Sequence, residues 1–131
     1  MNNKTTFITA SFFALTAVML GAFAAHGLKT HLTPSQISTF ETGTQYQFMH
    51  AIGLFIIGLL MYHNSAKLLR LASVIMTIGV ILFSGSLYLL SCRTVLGIES
   101  WTWLGPITPL GGLAFMMAWF FVLLAVWRDK T

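Results

Sequence analysis

Acidic side chains are almost missing: Glu41, Glu99 and Asp129 are the only three in 131 residues. Paired-carboxylate chemistry therefore has little raw material, and an acidic metal site has less. Cysteine is scarcer still, with Cys92 alone, which excludes an intrachain disulfide framework and any CxxC pair for zinc or redox work. Charge of either sign is low at 8% of residues, against about a quarter in a soluble domain. The seven Lys and Arg give a net charge of +4 but are scattered over five polar segments. They form no patch, so no nucleic-acid partner is expected. HExxH and GxSxG motifs are also absent.

What fills the chain is apolar: 56% of residues are hydrophobic, in long uncharged runs. Such runs are transmembrane helices when they approach the ~20 residues that cross a ~30 Å hydrocarbon layer. Four are legible, over residues 5–27, 44–62, 68–91 and 109–127. The first imitates a signal peptide, with Lys4 before it and Ala22-Phe23-Ala24 near its end. Its apolar run exceeds the usual h-region of roughly 7–15 residues, so a retained span is expected. Trp101, Trp103 and Trp127 flank the last span as interfacial anchors. The expected fold is an all-α membrane protein, a single four-helix bundle over 1–131.

Between the first two spans, Thr33-Pro34-Ser35-Gln36 is a capping-box pattern with Pro at the first helical position. It predicts a short interfacial helix over 34–43, bent near Gly43 into the second span. Correspondingly, Thr108 and Pro109 read as the cap and first residue of the fourth span. Small residues at helix-packing spacing mark the inner contacts: Ala10, Ala14, Ala17, Gly21 and Ala24; Ala72, Gly79 and Ser86; Gly111, Ala114, Ala118 and Ala125. Some of these seams could instead serve a homo-oligomer. The other expected partners are membrane lipids.

Positive charge sets the expected orientation. With the N-terminus inside, Lys4, Lys67, Arg70, Arg128 and Lys130 are cytoplasmic, and only Lys29 and Arg93 are outside. That bias favours cytoplasmic N- and C-termini. It also sends every unusual polar group to one leaflet: His26 of the first span; Gln45, Tyr46, Gln47 and His50 of the second; Ser84, Ser86 and Tyr88 of the third; Thr108 before the fourth. The inner halves are plain hydrophobe.

Two uses of that outer polar cluster follow from the residue types. Hydrogen bonds across helices would fix the register of the bundle, each worth about 0.6 kcal/mol on average in membranes. Alternatively, His26, His50, Tyr46 and Glu41 converge on a small polar ligand, a lipid head group or a proton path, because ionisable groups at membrane depth are costly. His26 and His50 could supply two metal ligands, but Cys92 and Glu41 stand at no diagnostic spacing, so no metal or cofactor is expected. Catalytic residues are not evident either: Phe83-Ser84-Gly85-Ser86 has no acid partner. The expected role is structural or interactive, not enzymatic.

Four ordered blocks carry a family likeness: Gly21-Ala22-Phe23-Ala24-Ala25-His26; Thr42-Gly43-Thr44-Gln45-Tyr46-Gln47 with His50; Leu82-Phe83-Ser84-Gly85-Ser86-Leu87-Tyr88; and Leu104-Gly105-Pro106-Ile107-Thr108-Pro109-Leu110-Gly111-Gly112. Over nearly the whole chain they resemble the UPF0382 membrane proteins, an uncharacterised family of small bacterial inner-membrane proteins to which human transmembrane protein 256 is similar. The resemblance implies a four-span plasma-membrane protein and brings no activity, substrate or cofactor with it.

Overall fold

A computed structural model describes residues 1–63 and 67–128. Asp129 and Lys130, which entered the sequence reading, lie outside the described residues. Helix α1 (Asn3–Phe23) starts at Asn2, whose side-chain oxygen accepts from the Thr5 amide at 2.8 Å, and runs on as a π turn over Ala24–Leu28. Helices α2 (Pro34–His63) and α3 (Lys67–Ser91) follow, then the four-residue α4 (Arg93–Leu96) and α5 (Leu104–Arg128). Gly97 ends α4 at φ 67°, the left-handed conformation that glycine adopts without strain.

Four of these helices are long and apolar enough to cross a membrane, in 25 to 30 residues each. At ~1.5 Å per residue they measure roughly 37–45 Å, more than a ~30 Å hydrocarbon layer requires. The faces turned away from the bundle explain where the excess hydrophobicity goes. Ile8, Phe12, Leu15, Met19, Leu113, Met116, Phe120 and Leu123 are all exposed. Such a belt would drive aggregation in water and is the ordinary lipid-facing surface of a bilayer protein.

Short connections make sequence neighbours antiparallel. Helix α1 packs on α2, α2 on α3 and α3 on α5, so α2 and α3 form the middle and α1 and α5 the flanks. The main core, with Phe13, Leu54, Ile57, Leu69, Met76, Val80 and Phe115, fills the membrane part. A second cluster of Ala24, Leu28, Leu32 and Phe40 closes the end opposite the termini. Most of the small-residue seams are spent inside this packing. Ala10, Ala17, Ala24, Ala72, Gly79, Ser86, Gly111, Ala118 and Ala125 are buried, whereas Ala14, Gly21 and Ala114 are only partly so.

Two boundaries differ from the sequence expectation. The interfacial helix over 34–43 is not a separate element, because α2 runs unbroken from Pro34 through Gly43 to His63. Its capping box does form: the Thr33 amide donates to Gln36 Oε1 at 2.9 Å and the Gln36 amide to Thr33 Oγ1 at 3.3 Å. Gly43 is there for packing, since a Cβ on it would come 2.8 Å from Tyr88 Cε1. The fourth span begins at Leu104, so Thr108 is no cap and Pro109 lies inside the helix. The residue four before Pro109 is Gly105, close to the helix end, where a displaced carbonyl costs least.

Candidate functional site

The polar groups sit in the half of the bundle opposite the termini, and they divide into three local sets. The first is built around Gln47. Along α2 the buried positions Gly43, Gln47, His50 and Leu54 follow helical spacing, which turns Gln47 into the interior at 5% exposure. Its Nε2 donates to the Phe13 carbonyl at 2.9 Å and to Thr16 Oγ1 at 2.7 Å, both on α1. Its Oε1 accepts from the Tyr88 hydroxyl on α3 at 2.8 Å. The amide can face only this way, because a carbonyl at Phe13 needs a donor. Thr16 passes its own hydrogen to the Phe12 carbonyl at 2.8 Å, so the whole network is satisfied. One side chain thus ties three helices together.

The second set joins α3 to α5. Ser86 Oγ donates to the Phe83 carbonyl at 2.9 Å and lies 2.6 Å from Thr108 Oγ1. With the serine hydrogen committed to the carbonyl, Thr108 is the donor in the second bond. The third set is aromatic. His50 Nδ1 lies 2.8 Å from the Tyr46 carbonyl, which only accepts, so the neutral ring carries its hydrogen on Nδ1. The His50 ring stacks on Phe115 with centroids 3.5 Å apart and planes 11° from parallel. Tyr46 packs on Phe83 at 4.6 Å, and its ring lies 5.9 Å from that of His50. Here His50 acts as a flat packing plate between α2 and α5.

The remaining candidates stand apart. His26, in the π turn, and Gln45 are exposed and join none of these sets. Ser84 is 1% exposed, and its Oγ has no hydrogen-bond partner. Of the nine residues singled out from the sequence, Gln47 ties three helices together, and Tyr46, His50, Ser86, Tyr88 and Thr108 each link two. The sequence reading missed Thr16. A threonine one turn from a buried alanine seam is compatible with a lipid-facing hydroxyl bonded to its own helix, so nothing in the sequence singled it out.

Space is found elsewhere. A cavity of about 370 Å³ lies beside Lys29, Leu32, Ile37 and Glu41 at the end of the bundle. Another of about 310 Å³ lies between the start of α2 and the end of α3. Gln45 borders a lateral groove with Ala17, Val18, Thr44 and Phe48, and Ser86 borders one with Trp103 and Ile107. Neither groove is lined by a second of the nine residues. Among the described residues no three His, Cys, Asp or Glu side chains come together as a metal site would require.

Comparison with known proteins agrees with this architecture. Residues 20–112 match the family described as "Protein of unknown function (DUF423)". The chain is 40% identical to the UPF0382 membrane protein YwdK of Bacillus subtilis, over 93% of this chain and 95% of that one. It is 36% identical to a UPF0382 membrane protein of Haemophilus influenzae over 87% and 86% of the two chains. With the UPF0382 inner membrane protein YgdD of Escherichia coli it shares 29% identity over 99% and 95%. No solved structure matches. Four apolar helices and relatives matched over nearly their full length agree, and the chain belongs to the UPF0382 (DUF423) family of membrane proteins.

Proposed function

We propose that this is a non-enzymatic, multi-pass protein of the bacterial plasma membrane, and that its polar layer is a latch holding four helices in one register. Both termini are cytoplasmic in this reading, and the latch lies in the outer half. The rigid bundle then serves as a scaffold for contacts with lipids or with other membrane proteins. The observation that carries the reading is Gln47: its amide oxygen and nitrogen are both used by Tyr88, Thr16 and Phe13. A ligand site would keep such groups free and facing a cavity, whereas a latch consumes them.

A double-mutant cycle tests this. Tyr88→Phe removes one interhelical bond and costs about 0.6 kcal/mol, within the ~1.7 kcal/mol maximum measured for such bonds. Gln47→Leu costs more, about 1–2 kcal/mol, because it strands the Tyr88 hydroxyl in the core. The double variant costs less than the sum of the two. Unfolding measured in bicelles reads all three. Strictly additive losses, or single variants as stable as the parent, would overturn the latch.

A further inference from the structure

The cavity of about 310 Å³ between α2 and the α3–α4 junction is lined by Ser35, Gln36, Thr39, Leu90, Ser91 and Arg93. Its charge is of one sign: Arg93 lines it and no carboxylate does. The neighbouring cavity, by contrast, holds both Lys29 and Glu41 and is balanced. Donor accounting narrows the chemistry further. The Thr39 hydroxyl is committed to the Ser35 carbonyl at 3.1 Å and the Ser91 hydroxyl to the Tyr88 carbonyl at 3.0 Å. One hydrogen of the Gln36 amide goes to Thr94 Oγ1 at 3.2 Å, which ties that side chain to α4. The guanidinium of Arg93, the Ser35 hydroxyl and the second Gln36 hydrogen remain available. Most of these hydrogens belong to the one positive charge that lines the cavity.

Depth adds a second constraint. Arg93 comes two residues after the end of α3, and the stacked, exposed Trp101 and Trp103 precede α5 at the same end. Tryptophan belts mark the head-group level of a bilayer, and an arginine there reaches the phosphates. The volume holds about ten waters at ~30 Å³ each, which is room for a phosphodiester with bridging solvent. Guanidinium is the side chain best matched to phosphate oxygens.

We infer that this cavity binds a phosphate group, with Arg93 as its principal charge and Ser35 and Gln36 as positioning donors. Both a lipid head group and a soluble phosphate present that chemistry. The experiment uses full-length protein in a neutral detergent and follows thermal unfolding against added phosphatidylglycerol, diacylglycerol or inorganic phosphate. A ligand that prefers the folded state raises the unfolding temperature with concentration. Phosphatidylglycerol should stabilise the parent and Arg128→Gln alike, the latter lacking a cation at the opposite end. Arg93→Gln should need roughly tenfold more lipid for the same shift, as loss of a charge-assisted pair implies. Ser35→Ala, a milder change at an exposed position, should move the response in the same direction. An Arg93-dependent shift with inorganic phosphate alone assigns the site to free phosphate. If diacylglycerol stabilises as well as phosphatidylglycerol, if Arg93→Gln and Ser35→Ala both respond as the parent does, or if no phosphate compound shifts the parent, the site does not exist.

Discussion

Ser84 and Ser86 are two residues apart, and their fates differ because two helical residues turn through about 200°. Ser86 faces α5 and shares its hydroxyl with Thr108, while Ser84 lies on the Tyr88 side of α3, where its Oγ is buried without a partner. Ser73, Ser86 and Ser91 all return their hydrogens to a carbonyl three residues back, and Ser84 does not. A buried hydroxyl without a partner carries a desolvation cost of about 1–3 kcal/mol. Ser84→Ala should therefore leave stability unchanged or raise it by up to about 1 kcal/mol, while Ser86→Ala lowers it. Thermal unfolding of the two variants in one detergent decides the matter. A marked loss for Ser84→Ala would mean that its hydroxyl has a partner after all. The sequence could not separate these serines, because Phe-Ser-Gly-Ser fixes their depth but not the rotation of α3.

Rotation is also what limited the reading of whole elements. Gln45, Tyr46 and Gln47 are each about 100° apart, so at most one can point to the bundle centre. Packing around Gly43 and Tyr88 selected Gln47 and left Gln45 exposed. Depth along each helix was legible, and so was the Thr33 capping box, because both depend on local sequence alone. Gly43 read as a bend for the same local reason, glycine being a weak helix former, but tertiary contact overrode the propensity. The glycines give this a measurable form. A Cβ at Gly111 would collide with the Phe83 backbone, whereas one at Gly85 has nothing within 4 Å. Gly111→Ala must push α5 away from α3 and should cost about 1–3 kcal/mol, as overpacking does. Gly85→Ala should be neutral or slightly stabilising, since alanine is the better helix former. Equal unfolding midpoints for the two variants would contradict the close α3–α5 packing.

For the whole molecule, composition alone announced a membrane protein, since no soluble fold could cover so much apolar surface with so little charge. It could not announce a shared central site, and the polar groups close three separate seams instead. The proposed orientation of the bundle rests on the cations. Lys4, Lys67, Arg70 and Arg128 lie at the end of the termini, and Lys29 and Arg93 at the other. In the orientation proposed above, the positive-inside bias makes the first end cytoplasmic and would put the start of α2, the latch and Arg93 on the outer side. Ser38 is exposed near the start of α2 while Phe40 is buried, so a probe at Ser38 reports on that end without entering the core. In a Cys92→Ser background, Ser38→Cys should react with a membrane-impermeant maleimide on intact spheroplasts, before any permeabilisation. A green fluorescent protein fused after the last residue should fluoresce in the same cells, as it does only on the cytoplasmic side. Labelling of Ser38→Cys only after permeabilisation, with a dark fusion, would invert the molecule. The latch would survive that result, since it depends on contacts between helices and not on which leaflet holds them. The phosphate cavity would then face cytoplasmic phosphates, and the soluble arm of its test would become the decisive one.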